Sequence, residues 1–197
     1  ISHEIIVTCG LSNDKTEDVA RKFSAIVISS VSNRGIQLAA GASVAKGDWL
    51  LFLHADTKLS IDWHKHVLSF CSNRKNLKRA AVFKLKFNDT NDNARRIEYL
   101  ANWRVQKFGL PYGDQGLLIS RSYYNELGGY KPFPLMEDVD LVRRIGRKNI
   151  FVLKSYAITS AERYKRTGYW FQPLKNLCFL FFYFIGIPPK LLAKVYR

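Results

Sequence analysis

Trp49-Leu50-Leu51-Phe52-Leu53-His54-Ala55-Asp56-Thr57 is an apolar run closed by a short polar turn that carries one carboxylate. The run reads as a buried strand, which places Asp56 at its carboxyl end. Ligands of open α/β sheets bind at that edge, and an acid there suits a hard divalent cation bridging phosphates. Asp56 reads equally as a capping or turn aspartate, since Asp and Thr are common turn formers.

Upstream, Lys46-Gly47-Asp48 closes a helix whose apolar positions Ile36, Leu38, Ala39, Ala42 and Ala45 recur at helical spacing, with Gly47 at the C-cap. Ser32-Asn33-Arg34-Gly35 opens that helix behind a second apolar run, Ala25 to Val31. Arg34 therefore stands at a strand-to-helix junction, where backbone N–H groups and the helix dipole favour an anion. A simply solvent-exposed arginine is the alternative. Before it, Glu4–Cys9 reads as a strand and Gly10–Asp14 as a turn, and Asp14 with Glu17 has the spacing of a capping box opening a helix through about Phe23. The chain enters its first strand almost at once, without a leader or starting methionine. This predicts residues upstream, with a first βα unit outside the sequence as given. Strands alternating with helices predict an α/β fold, a doubly wound, mostly parallel sheet flanked by helices.

Downstream, Ser60 is placed to cap a helix from about Ile61 to Cys71, and the basic loop Asn73–Arg79 leads to a strand, Ala80–Phe87. After the polar loop Asn88–Asn93, a longer helix covers about Ala94 to Phe108, with Ile97, Leu100, Ala101, Val105 and Phe108 on its apolar side. Leu110-Pro111-Tyr112-Gly113-Asp114-Gln115-Gly116 is turn chemistry before the strand Leu117–Ser120, either a connector or a site. Glu137-Asp138-Val139-Asp140 then puts three carboxylates within four positions at a helix start. They complement the helix dipole without further purpose, or, repelling one another, carry raised pKa values that suit proton abstraction. Two helical residues advance a side chain by about 200°, so Asp138 and Asp140 cannot both face one cleft.

Composition bounds the function. At 197 residues, 47% of them hydrophobic, the chain is long enough for one domain with a sizeable core. Its three cysteines, Cys9, Cys71 and Cys178, are scattered, which argues against a disulfide framework or a CxxC metal site and fits a reducing compartment. The four histidines, His3, His54, His64 and His66, form no nucleophile system with Ser or Cys. The net charge is +15, and residues 141–197 hold twelve Lys and Arg against Glu162 alone. Such a surface attracts phosphates, acidic lipids or nucleic acid. No RRM, KH or helix-turn-helix signature is present, so no nucleic acid is expected as partner.

A strand ending in one carboxylate, an Arg-Gly turn before it, a Gly-Asp-Gln loop and a Glu-Asp pair opening a late helix resemble, in this order, the GT-A glycosyltransferases of family two. The resemblance covers about residues 4 to 170, within a domain taken as 1–170, and is nearest to small bacterial members reading LLFLHADT and GDQG. It implies a Rossmann-like GT-A fold and an inverting hexosyltransferase that moves a sugar from a UDP- or GDP-linked donor to an acceptor hydroxyl. It also implies Mg2+ or Mn2+ on the donor diphosphate, held by Asp56 at the place of the family's DXD motif. His54 stands where the first aspartate of that motif meets the ribose. Asp14 matches the later acid of the DGSxD-like loop, while Cys9 occupies a position where an acid is usual. Arg34 is implied on the donor side, Asp114, Gln115 and Glu137 on the acceptor side, and Asp138 as catalytic base. The family's Gln-x-x-Arg-Trp motif is not present as such; the basic-aromatic stretch with Arg163, Arg166 and Trp170 stands in about its place, suited to a phosphate or a sugar ring. A catalytically inactive GT-A-like scaffold, or a basic protein binding nucleic acid or a membrane surface, is the alternative.

The tail, 171–197, contains the apolar run Leu177–Ile187, stopped by Pro188-Pro189. A bilayer-spanning helix needs about 20 residues, so this one packs on the domain or lies in a membrane interface with Lys and Arg facing anionic lipid. The second arrangement goes with a lipid-linked acceptor and a cytoplasmic protein peripheral on the inner face of the cell membrane.

Overall fold

The computed structural model describes residues 2–10 and 14–196. The chain alternates strands and helices from β1 (Ile6–Cys9) and α1 (Thr16–Lys22) through β2 (Ile26–Ser29), α2 (Arg34–Val44), β3 (Trp49–Phe52), β4 (Thr57–Leu59) and α3 (Trp63–Cys71). β5 (Ala80–Phe87), α4 (Asp92–Phe108), β6 (Leu117–Ser120), α5 (Arg121–Glu126), α6 (Glu137–Ile145) and β7 (Ile150–Thr159) follow, and α7 (Glu162–Thr167), α8 (Phe171–Phe184) and α9 (Pro189–Tyr196) close the chain. The fold is α/β, as the alternation predicts.

Five strands form a mixed sheet in the order β3-β6-β5-β7-β4, in which β5 and β7 run parallel and the other neighbours antiparallel. β1 and β2 form a separate parallel pair. The central strands are apolar on both sides because both faces are covered. Ala80 and Val82 of β5, with Leu117 and Ile119 of β6, pack against α2, α4, α5 and α6. Ala81, Phe83 and Leu118 pack against Val67 and Phe70 of α3 on the other face. A cavity of about 1370 Å³ is bordered by β1 and β3 and opens at the carboxyl end of β3 among His54, Asp56, Asp114 and Asp138.

Two expected caps form differently. Asp14 Oδ1 accepts from Thr16 N–H at 2.9 Å, but Glu17 does not return to close a capping box; its carboxylate accepts from Ser29 Oγ at 3.2 Å, tying α1 to β2. Leu11, Ser12 and Asn13 of the expected turn lie outside the described residues. α3 begins at Trp63 rather than Ile61, because Ser60 bonds Asp62 Oδ1 (2.7 Å) and Ser155 Oγ (2.8 Å), fastening the corner to β7. Beyond β7, α8 and α9 lay Phe179, Leu180 and Leu192 on Leu135, Met136 and Val139 at the start of α6.

Candidate active site

α2 is aimed at α6 by a close contact of backbones. Asn33 Oδ1 accepts from Ile36 N–H (3.1 Å), capping the helix. Its Nδ2 donates to Pro132 O (3.4 Å), and Gly35 N–H donates to Phe133 O (3.1 Å). A Cβ at Gly35 would fall 2.0 Å from Lys131 O, so only glycine admits this approach. The result brings Arg34 beside Glu137: Nε and Oε1 are 3.0 Å apart, with Glu137 fully buried and the Arg34 side chain 43% exposed. The N–H does not point along that line, so both Glu137 oxygens are buried in an ion contact without a hydrogen-bond donor.

Arg34 also reaches across to the β3 turn, its Nη2 lying 2.9 Å from His54 Nε2. Burial, and then the Arg34 charge, hold the His54 pKa below its usual value against the opposing pull of Asp138 and Asp56. The neutral ring therefore accepts at Nε2 and carries its proton on Nδ1. His54 packs on Gly113, where a Cβ would come within 2.4 Å of Nε2. Gly113 N–H in turn donates to Asp138 Oδ2 (2.7 Å), and Val139 N–H donates to Asp138 Oδ1 (2.7 Å). Two backbone donors thus fix the Asp138 carboxylate at the α6 N-terminus, on the wall of the same cavity that Asp56 lines.

The charges around this wall are crowded. Burial pushes Glu137 up to about 7, with Asp138 adding to the rise and Arg34 opposing it. Burial likewise pushes Asp114 up to about 6, with Arg104 opposing and Asp138 and Asp56 adding. Asp114 Oδ1 has no hydrogen-bond donor. Asp140 points elsewhere: it bonds Lys131 (3.1 Å) and Arg144 (2.6 Å), and Arg144 also donates to the Leu127 and Gly129 carbonyls.

The expected site residues fall into three groups. Arg34, His54, Asp56, Asp114, Asp138 and Arg163 line the cavity, and Glu137 lies immediately behind it. Gln115 does not reach it, because its side chain is fully buried and Nε2 donates to Phe83 O (3.2 Å), tying the loop to β5. Asp14 sits at the opening of α1, while Arg166 and Trp170 are exposed and outside the cavity lining. Arg104 went unread in the sequence: from α4 it stacks 3.5 Å over the Tyr112 ring and donates to Leu110 O (2.8 Å), holding the loop that carries Gly113 and Asp114. Among the described residues, no group of three or more His, Cys, Asp or Glu side chains forms a ready cation site. Asp56 offers an exposed oxygen ligand at the carboxyl end of β3, with no Lys or Arg paired to it among the described residues.

The sequence profile described as Glycosyl transferase family 2 matches residues 2–128, more than half of the chain. Comparison with curated proteins gives no significant match. Among solved structures, residues 1–349 of TarS from S. aureus superimpose with a TM-score of 0.61 at 17% identity, over 80% of this chain and 51% of that one. GalNAc-T7 with UDP, GalNAc and Mn2+ gives 0.55 at 15% identity over 80% and 37%. Mannosyl-3-phosphoglycerate synthase from Rubrobacter xylanophilus gives 0.51 at 18% identity over 80% and 55%. The chain spans 37% to 55% of these three proteins, and at such identities the likeness is one of fold. The profile takes in Arg34, His54, Asp56 and Asp114 and stops short of Glu137-Asp138. By that profile match over more than half of its length, the chain belongs to glycosyl transferase family 2.

Proposed function

We propose that the chain transfers a hexosyl group from a UDP- or GDP-linked donor to an acceptor hydroxyl with inversion. The observation that carries this reading is that Asp56 and Asp138 line one cavity, the first exposed and the second fixed by two backbone N–H groups.

Asp138, still with free lone pairs on both oxygens, takes the acceptor O–H proton as that oxygen attacks C1 of the sugar. The bond from C1 to the β-phosphate oxygen breaks, and its electron pair leaves with the nucleoside diphosphate. One displacement inverts C1. The donor set suits Mg2+ or Mn2+, since a hard cation is commonly held by one or two carboxylates with substrate phosphates supplying further oxygens, and Asp56 is such a carboxylate. When bound there, the cation neutralises charge on the diphosphate. Arg163, at the cavity wall, adds a cation for a phosphate oxygen, while Arg34, tied to Glu137 and His54, keeps the base side rigid.

The acceptor in this reading is a lipid-linked hydroxyl met at the inner face of the cell membrane, in keeping with the basic C-terminal third. A non-catalytic scaffold is the second reading, favoured by His54, which holds Arg34 where the family has an acid. Incubation with UDP- and GDP-hexoses, Mn2+ and a lipid extract as acceptor source separates the two. Mn2+-dependent release of nucleoside diphosphate that requires the extract is expected; nucleotide binding without any release supports the scaffold.

A further inference from the structure

α8 is apolar over most of its circumference, Gln172, Lys175 and Asn176 being its polar positions, yet only one side of it is covered. Phe179 and Leu180 face inward onto Met136, Val139 and Leu192. Phe171, Leu174, Cys178, Phe181 and Ile185 recur at intervals of three and four, the spacing of one helical stripe, and all are exposed. Leu177 and Phe184 widen the stripe, so that Phe171 at 63%, Leu177 at 60% and Phe181 at 60% stand open to solvent. α9 extends the surface with Leu191 and Val195, also exposed.

The charges that the tail leaves open are basic. Residues 163–196 contain Arg163, Lys165, Arg166, Lys175, Lys190 and Lys194 and no Asp or Glu. Arg163 belongs to the cavity wall, Lys165 is paired with Asp89 and Lys175 donates to the Tyr196 carbonyl, which leaves Arg166, Lys190 and Lys194 as exposed cations. Arg143, on α6, lies 5.0 Å over the Phe184 ring at the far end of the helix. Among the described residues no helix is long and apolar enough to cross a membrane. A second copy on this face would bring like charges together with no acid in residues 163–196 to offset them, and a nucleic acid would leave the phenylalanines uncovered. An anionic bilayer surface satisfies both features, taking the apolar stripe between its acyl chains and the cations among its headgroups.

We propose that the outer face of α8, with the exposed edge of α9, seats the protein on an anionic lipid bilayer. The inner face of the same helix packs on the segment that leads into Glu137-Asp138, so α8 stands between the bilayer and the element that bears Asp138. This deepens the transferase reading by naming the surface from which a lipid-linked acceptor comes, although the seating itself is measured without turnover.

The test is co-sedimentation of the full chain with vesicles of phosphatidylcholine alone or with 30% phosphatidylglycerol, at physiological salt, beside light scattering of the protein alone. Binding to the anionic vesicles at least tenfold tighter than to the neutral ones is expected. The triple variant Leu174→Gln/Leu177→Gln/Phe181→Gln should lose at least tenfold of that binding while keeping its thermal transition. If that variant fails to fold, Lys190→Glu/Lys194→Glu, changed only at exposed positions, should weaken anionic binding by about tenfold or more. Equal binding to both vesicles, unchanged binding in the folded variants, or a concentration-dependent dimer that the triple variant abolishes would overturn the proposal. Seating without turnover keeps this proposal and sinks the transferase reading; turnover without seating does the reverse.

Discussion

Asp56 and Asp138 stand on one cavity but are built in opposite ways. Asp56 sits in an exposed turn, and among the described residues its carboxylate is met by the neighbouring Thr57 hydroxyl alone, at 3.4 Å. Asp138 is pinned by two N–H groups at 2.7 Å, with Glu137, Arg34 and His54 interlocked behind it. The difference teaches that the Asp138 wall is assembled by the fold itself, whereas Asp56 is left open; in the proposed reading these are the base side, built before any substrate arrives, and the donor side, completed by a ligand. Changes on the base wall should therefore act on chemistry and stability, and changes at Asp56 on binding.

The largest effect expected is on turnover. In the proposed mechanism Asp138→Asn removes the proton acceptor and should lower transfer by about 10²–10⁴-fold, the span of general base catalysis, while thermal melting shifts by only a few degrees. Retained transfer would put the base elsewhere and end the contrast. Next is Gly35→Ala, which drives a Cβ onto the Lys131 carbonyl between two backbones that cannot part cheaply. A loss of about 3 kcal/mol in urea unfolding is expected, more than an alanine at an ordinary helix position would cause.

A smaller effect sharpens the picture of the buried wall. The Glu137 pKa of about 7 in the folded chain lies above the ordinary 4.5, so the folded state holds the extra proton between these values. Stability should fall as pH rises from about 4.5 to about 7 and level off above, with Asp114 contributing in the same direction from about 3.8 to about 6. Glu137→Gln should flatten most of that slope, a change on the order of 2 kcal/mol across the interval, read from urea midpoints at pH 5 and pH 7.5. An unchanged slope would mean that Glu137 is charged throughout.

Much of this arrangement is legible in residue order, and what escapes does so for physical reasons. β5 runs from Ala80 to Phe87 as the sequence predicts, an apolar run that turns to alternation at Lys84 and Lys86, and α6 begins at Glu137 with Asp138 and Asp140 on different sides, as helical geometry requires. β7 is hidden because its inward residues Leu153, Ser155, Ala157 and Thr159 are mostly small or polar while Tyr156 faces out, which inverts the usual alternation. β4 is three residues long and is held by pairing with β7 alone. Arg34 was legible as a cation at a helix start but its partner, Glu137, is set by the Gly35 contact, which no local pattern announces. Gln115 looks like a turn residue facing solvent, yet its amide supports β5 from inside. Arg104 acts through a ring in the next loop, a pairing that depends on how α4 ends at Gly109 in the left-handed region.

The central claim, a donor side completed by a ligand and a base side already built, is tested most directly by calorimetry of UDP and GDP binding with and without Mn2+. The account predicts Mn2+-dependent binding of at least one of the two nucleotides. Binding should be kept within about threefold in Asp138→Asn and reduced by at least about tenfold in Asp56→Asn, with both variants folded. Binding that ignores Mn2+, or that survives in Asp56→Asn and fails in Asp138→Asn, would contradict it.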